Sequence, residues 1–167
     1  PGQEAASLVH FYVEGTDSQG ASTMAPFAGP EARALYRVQD ENAMQDQRHN
    51  VRILMTAEDT ELLHRTTNVM SNDRLGATVI YRESEIYYDA GVRLKGSQRG
   101  RDKVVRAGFN IGFSPEQLFR DVHSTIGVDR SGSGDEYSQE EIIVRQIVNH
   151  AGSVPQIYDD LIHVVAP

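Results

Sequence analysis

The stretch IYYDAGVRLKGSQRGRDKVVRAGFNIGF, residues 86–113, decides the reading of this chain. Tyr87–Leu94 alternates at the two-residue period of a strand, and Gly108–Phe113 does so again. Between them lies a run of cations, Lys95, Arg99, Arg101, Lys103 and Arg106, interrupted by Gly96 and Gly100. The glycines let the backbone turn sharply and approach a ligand closely. Strand, glycine-containing basic loop, strand is a way to hold a phosphate, with backbone N–H groups near Gly96 and charge from Lys95, Lys103 or Arg106. A solvated hairpin connection is the plainer reading of the same composition.

Outward from this unit, Val51–Met55 reads as a strand, and Thr56 with Asp59 reads as the N-cap of a helix over 58–65. Ala77–Tyr81 and Glu85–Leu94 form an expected hairpin turning near Arg82–Ser84. Ser114-Pro115-Glu116-Gln117 has the pattern of a short helix start, with serine at the N-cap and proline behind it. Thr125–Val128 and Leu161–Val165 read as further strands. Ser138 and Glu141 form a capping box, and Ile142, Ile143, Ile147, Val148 and Ala151 place an apolar face at helical spacing before Gly152 and Pro155. The expected fold class is α+β, a mostly antiparallel sheet with the 138–151 helix as its one main packed helix.

Before all this stand Leu8–Thr16 and Ala34–Val38, two strand-like runs separated by turn residues. They resemble the last two strands of an immunoglobulin- or fibronectin-like sandwich. Two strands alone are marginal in water, so the segment must lean on the rest of the chain or on a neighbour. The expected organisation is residues 1–40 as the end of such a domain, 41–50 as a polar linker, and 51–167 as a second domain.

Composition narrows the function classes. Sixteen Lys and Arg stand against twenty-four Asp and Glu, a formal net charge of −8, which does not fit general nucleic-acid binding. No apolar run approaches the ~20 residues of a membrane span. Cysteine is absent, so disulfides, thiolate zinc sites and a cysteine nucleophile are excluded. The chain opens at Pro1, the expectation being a piece of a longer polypeptide or a processed product.

Asp129–Glu140, DRSGSGDEYSQE, carries a second candidate site. Asp129, Ser131, Ser133, Gly134, Asp135 and Glu140 fall at positions 1, 3, 5, 6, 7 and 12 of a calcium loop, which supplies hard oxygen ligands and a closing carboxylate. Serine is a poor ligand at two of those positions, so the competing reading is a Gly/Ser loop leading into a capped helix. Of that set, Asp129, Asp135 and Glu140 are the candidate metal ligands. His10, His49, His64, His123, His150 and His163 show no metal-ligand spacing, and Asp159-Asp160 reads as a strand entry. No serine sits in a nucleophile-elbow pattern.

"AGVRLKGS", a basic loop and "GFNIGF" together resemble the spore-coat CotH kinase-like family, whose pattern runs V-G-I-R-x-K/R-G-N-S-S, a basic residue, then S-F-K-I-K-F. The likeness extends more weakly over residues 51–167 and is nearest to CotH-like regions of large bacterial surface proteins. It implies the N-terminal lobe of an atypical protein kinase that binds ATP and magnesium, acts on a protein substrate and works outside the cell or at its surface. Lys95, Gly96, Ser97, Lys103 and Arg106 become the nucleotide-binding residues on this comparison. Asn110 and Gly112 stand where the family tends to carry lysines. The metal-holding carboxylates and the base of phosphoryl transfer would lie in a C-terminal portion beyond Pro167, so the expected state of this chain alone is inactive. The alternative is a non-catalytic structural or interaction module of a large bacterial surface protein.

Overall fold

The computed structural model describes residues 2–38, 49–101, 107–129, 140–152 and 160–167, with the side chains of Gln98 and Arg99 excepted. Its centre is a six-stranded sheet of β5 (His49–Leu54), β6 (Leu75–Tyr81), β7 (Glu85–Lys95), β8 (Gly108–Gly112), β9 (Thr125–Val128) and β10 (Ile162–Val165). The spatial order is β10-β5-β6-β7-β8-β9. Every pairing is antiparallel except that of β10 with β5. Helix α1 spans Ala57–His64, a single helical turn α2 spans Gln98–Arg101, and the main helix α3 spans Glu140–Ala151. The α+β class and the mostly antiparallel sheet with one main helix are as expected from the sequence.

Alternation places Val51, Ile53, Ala77, Val79, Ala90, Val92, Leu94, Phe109, Ile111 and Val128 in one core. Leu63 of α1 joins them, and the Thr56 hydroxyl accepts a hydrogen bond from the Asp59 N–H at 3.1 Å, the anticipated cap. At one end of the core Tyr81, Tyr87, Phe113 and Phe119 pack ring against ring, with centroids 5.1–5.4 Å apart. Burial pushes the Tyr87 phenol up, so it stays protonated and donates to Glu85 at 2.7 Å.

The expected helix at Ser114–Gln117 does not form; the segment makes one turn and then a bridge between Phe119 and His123. Two contacts explain this. The Gln117 amide is drawn to the edge of β7, donating to the Ile86 carbonyl at 2.7 Å, and Phe119 is drawn into the aromatic cluster. Arg120 and Asp121 then adopt left-handed backbone (φ 51° and 61°), which ends any helical continuation. In α3 the amphipathic spacing is present, yet none of its residues is buried and Ile143 and Ile147 stay more than half exposed. Its capping serine, Ser138, lies outside the described residues, as do linker positions 41–48. β5 begins at His49, so the last two positions assigned to the linker belong to the sheet.

The N-terminal segment leans on the sheet. β1 (Leu8–His10) pairs with β4 (Leu35–Arg37), while β2 (Val13–Thr16) and β3 (Ser22–Ala25) form an exposed hairpin. Leu35 is fully buried, and its N–H donates to the Thr78 hydroxyl at 2.8 Å. That hydroxyl donates in turn to the Arg33 carbonyl at 2.5 Å. A bulge between β6 and β7, with Asp89 at φ 53°, turns both Tyr88 and Asp89 toward the segment. Tyr88 meets Phe11 edge to face, and the Asp89 carboxylate accepts from the Arg33 N–H at 3.1 Å. Replacing Thr78 by Val keeps the shape but leaves two backbone groups without their partner. Thr78→Val is expected to cost about 1–3 kcal/mol, measured as a lower urea midpoint at unchanged slope.

Candidate functional site

One face of the sheet carries the core; the other carries glycines and cations. Gly76, Gly91 and Gly112 are register partners on neighbouring strands and make a row without side chains. Basic side chains lie over that row. A Cβ at Gly76 would come 2.4 Å from Arg33 Cγ, one at Gly91 would come 3.0 Å from Arg74 Cβ, and one at Gly112 would come 2.6 Å from Arg74 Nη1. Lys95 runs the same way across Gly127, where a Cβ would lie 3.5 Å from Lys95 Cε. Glycine here makes room for a cation lying flat on the strands.

The two outer cations are neutralised. Arg33 donates to the Asp59 carboxylate at 2.8 Å, a bond that raises its pKa further. The Lys95 ammonium is paired with Asp129 at the end of β9. Between them lie three guanidinium groups whose hydrogen-bond partners among the described residues are all neutral oxygens. Arg74 donates to the Asn110 side chain at 2.9 Å. Arg93, the register partner of Asn110, reaches the Asn72 side chain and the Leu94 carbonyl, both at 3.4 Å. Arg101 donates to the carbonyls of Gly96 at 2.8 Å and Ser71 at 3.0 Å, and to the same Asn72 oxygen at 3.2 Å.

Arg101 is buried, so its place in the basic run of the sequence misleads: it ties the loop to residues 71–72 from inside. Gly96 takes the left-handed backbone (φ 114°) expected of a sharp turn, and Ser97 follows it at the surface. Lys95, Gly96 and Ser97 therefore sit together at the end of β7, beside the arginines. Lys103 and Arg106, the other two expected phosphate ligands, lie outside the described residues. Arg74, Arg93 and Asn72 are what the sequence reading missed, and the signal for the two arginines was a glycine two positions from an arginine, at strand spacing, in "DRLG" and "AGVR".

Of the expected calcium ligands, Asp135 lies outside the described residues. Asp129 directly follows β9 and is engaged by Lys95; Glu140 begins α3. Among the described residues no group of three or more His, Cys, Asp or Glu could hold a metal ion. No helix among them is long and apolar enough to cross a membrane. No family model matches the chain, and neither a curated protein nor a solved structure matches it.

Two outcomes follow from this geometry. Arg101→Ala removes three hydrogen bonds at once, with an expected loss of about 1–3 kcal/mol and faster amide exchange at Gly100 and residue 101. For the 129–140 loop, the expected result is a melting temperature unchanged between millimolar calcium and chelator. A rise of several degrees that Glu140→Gln abolishes would instead make the loop a metal site, since a ligand bound only by the folded state stabilises it.

Proposed function

We propose that this chain is the nucleotide-binding part of a CotH-like atypical protein kinase, holding the phosphate chain of ATP beside the turn Lys95-Gly96-Ser97. The observation that carries the reading is the turn itself, where Gly96 takes left-handed backbone (φ 114°) between Lys95 at the end of β7 and the exposed Ser97. A phosphate oxygen beside this turn would accept a charge-assisted hydrogen bond from the Lys95 ammonium and hydrogen bonds from backbone N–H groups near Gly96. Magnesium, the carboxylates that hold it, a protein substrate and a place at the bacterial surface belong to the same proposal. Catalysis would need a second portion of polypeptide supplying the metal cage and the base.

The competing reading is a structural or interaction module without chemistry. What favours it is the Lys95–Asp129 pair, since a nucleotide must displace the carboxylate before the lysine can reach a phosphate. That competition sets the expected strength. Calorimetric titration of the chain with ATP and magnesium should give roughly millimolar affinity, about −4 kcal/mol, weakened by Lys103→Ala or Arg106→Ala. Incubation with labelled ATP should transfer no label to the chain or to an added protein. Absence of ATP binding, with the chain folded by circular dichroism, would leave the structural reading.

A further inference from the structure

Arg74 and Arg93 occupy the open face of the sheet, whereas the residues assigned to nucleotide binding sit on the loop after β7. We propose a distinct oxyanion subsite at Arg74 and Arg93, backed by the buried Arg101, that takes the phosphates of a polyphosphate chain. The inference shares its ligand class with the nucleotide reading but stands on other residues.

Three features of the geometry point to an anion. First, Arg93 and Arg101 share one acceptor, the Asn72 side-chain oxygen, so two like charges converge on a single neutral atom. Second, Arg74 is fixed rather than splayed into water. Its stem crosses Gly91, and its guanidinium lies over Gly112 and reaches Asn110, the partner of Arg93 in register. A guanidinium has five N–H donors in a rigid fork, and Arg74 and Arg93 between them spend few of these on protein. Third, none of these three arginines carries a carboxylate among the described residues, although the chain as a whole is rich in acid. The Asp59 and Asp129 carboxylates at its flanks are committed to Arg33 and Lys95.

The asparagines make the test clean. Asn110→Asp and Asn72→Asp are near-isosteric and supply each guanidinium group with the carboxylate it lacks, so the folded chain should be as stable as the parent or more so. The probe is sodium tripolyphosphate without metal, titrated at low ionic strength, with ATP as a parallel arm and circular dichroism as the check on folding. Binding is expected for the parent chain, reduced at least tenfold in the Asn72→Asp/Asn110→Asp double variant and in Arg74→Gln/Arg93→Gln. Equal affinities for tripolyphosphate and ATP would identify a free polyphosphate as the source, and tighter ATP binding a nucleotide; either outcome supports the subsite. Tripolyphosphate binding that the double variants leave unchanged, or no binding by the folded parent up to 10 mM, overturns it. ATP binding sensitive to Lys103→Ala but not to these variants would keep the nucleotide reading and remove the subsite alone.

Discussion

The row Gly76, Gly91 and Gly112 is the constraint on which the rest of this molecule depends. A sheet with one buried face ordinarily fills its other face with side chains standing off the strands. Here three adjacent strands present bare backbone, and the space is taken by arginine stems arriving from outside the sheet, Arg33 on Gly76 and Arg74 on Gly91 and Gly112. The stems lay apolar methylene groups on the strands, and the Arg74 guanidinium itself lies over Gly112. A Cβ at Gly112 would displace the Arg74 guanidinium, and one at Gly76 would displace the Arg33 stem. Glycine costs a strand conformational entropy and side-chain packing. Here the missing side chains leave the room that the Arg33 and Arg74 side chains occupy.

The second device is the bulge in β7. Without it, the strict two-residue period would carry Tyr87 and Asp89 to one face together. The extra residue resets the register, so that Tyr87 enters the aromatic cluster while Tyr88 and Asp89 both meet the N-terminal segment. Arg33 is the point where the two devices join. Its backbone bonds Thr78 and Asp89, its stem covers Gly76, and its guanidinium holds Asp59 at the cap of α1. The segment that by sequence resembles the end of a separate sandwich domain is thus integral to one face of the sheet.

Most of the sheet was legible in the sequence because its signals are local. Alternation marks β6, β7 and β8, Thr125–Val128 was delimited to the residue, and the Thr56–Asp59 cap was visible as a spacing. The errors arose where tertiary contacts outbid local preference. Ser114-Pro115-Glu116-Gln117 has a helix-start pattern, but Gln117 satisfies a strand edge and Phe119 fills a core. The parallel pairing of β10 with β5 brings residues at opposite ends of the second region together, and no short window contains that information. The candidate site was half legible. Lys95, Gly96 and Ser97 stood out as a basic turn, whereas Arg74 lies well before it in sequence and joins it only through strand pairing.

An acidic chain with a basic face is no contradiction at these distances. Surface charges separated by more than about 8 Å are largely screened at physiological ionic strength, so the sign of a site is set by its immediate neighbours. Along this face the neighbours are ordered: Arg33 with Asp59 at one flank, Lys95 with Asp129 at the other, and between them guanidiniums that meet, among the described residues, amide and carbonyl oxygens alone. The paired flanks do not attract a further anion strongly, because each cation already has one. The centre does, and it does so with planar groups held by glycine-floored packing rather than with a mobile lysine. Positioned guanidiniums lose less conformational entropy on binding than a free lysine chain would. The chemistry of this face therefore resides more in Arg74 and Arg93 than in the basic loop that first draws attention to it.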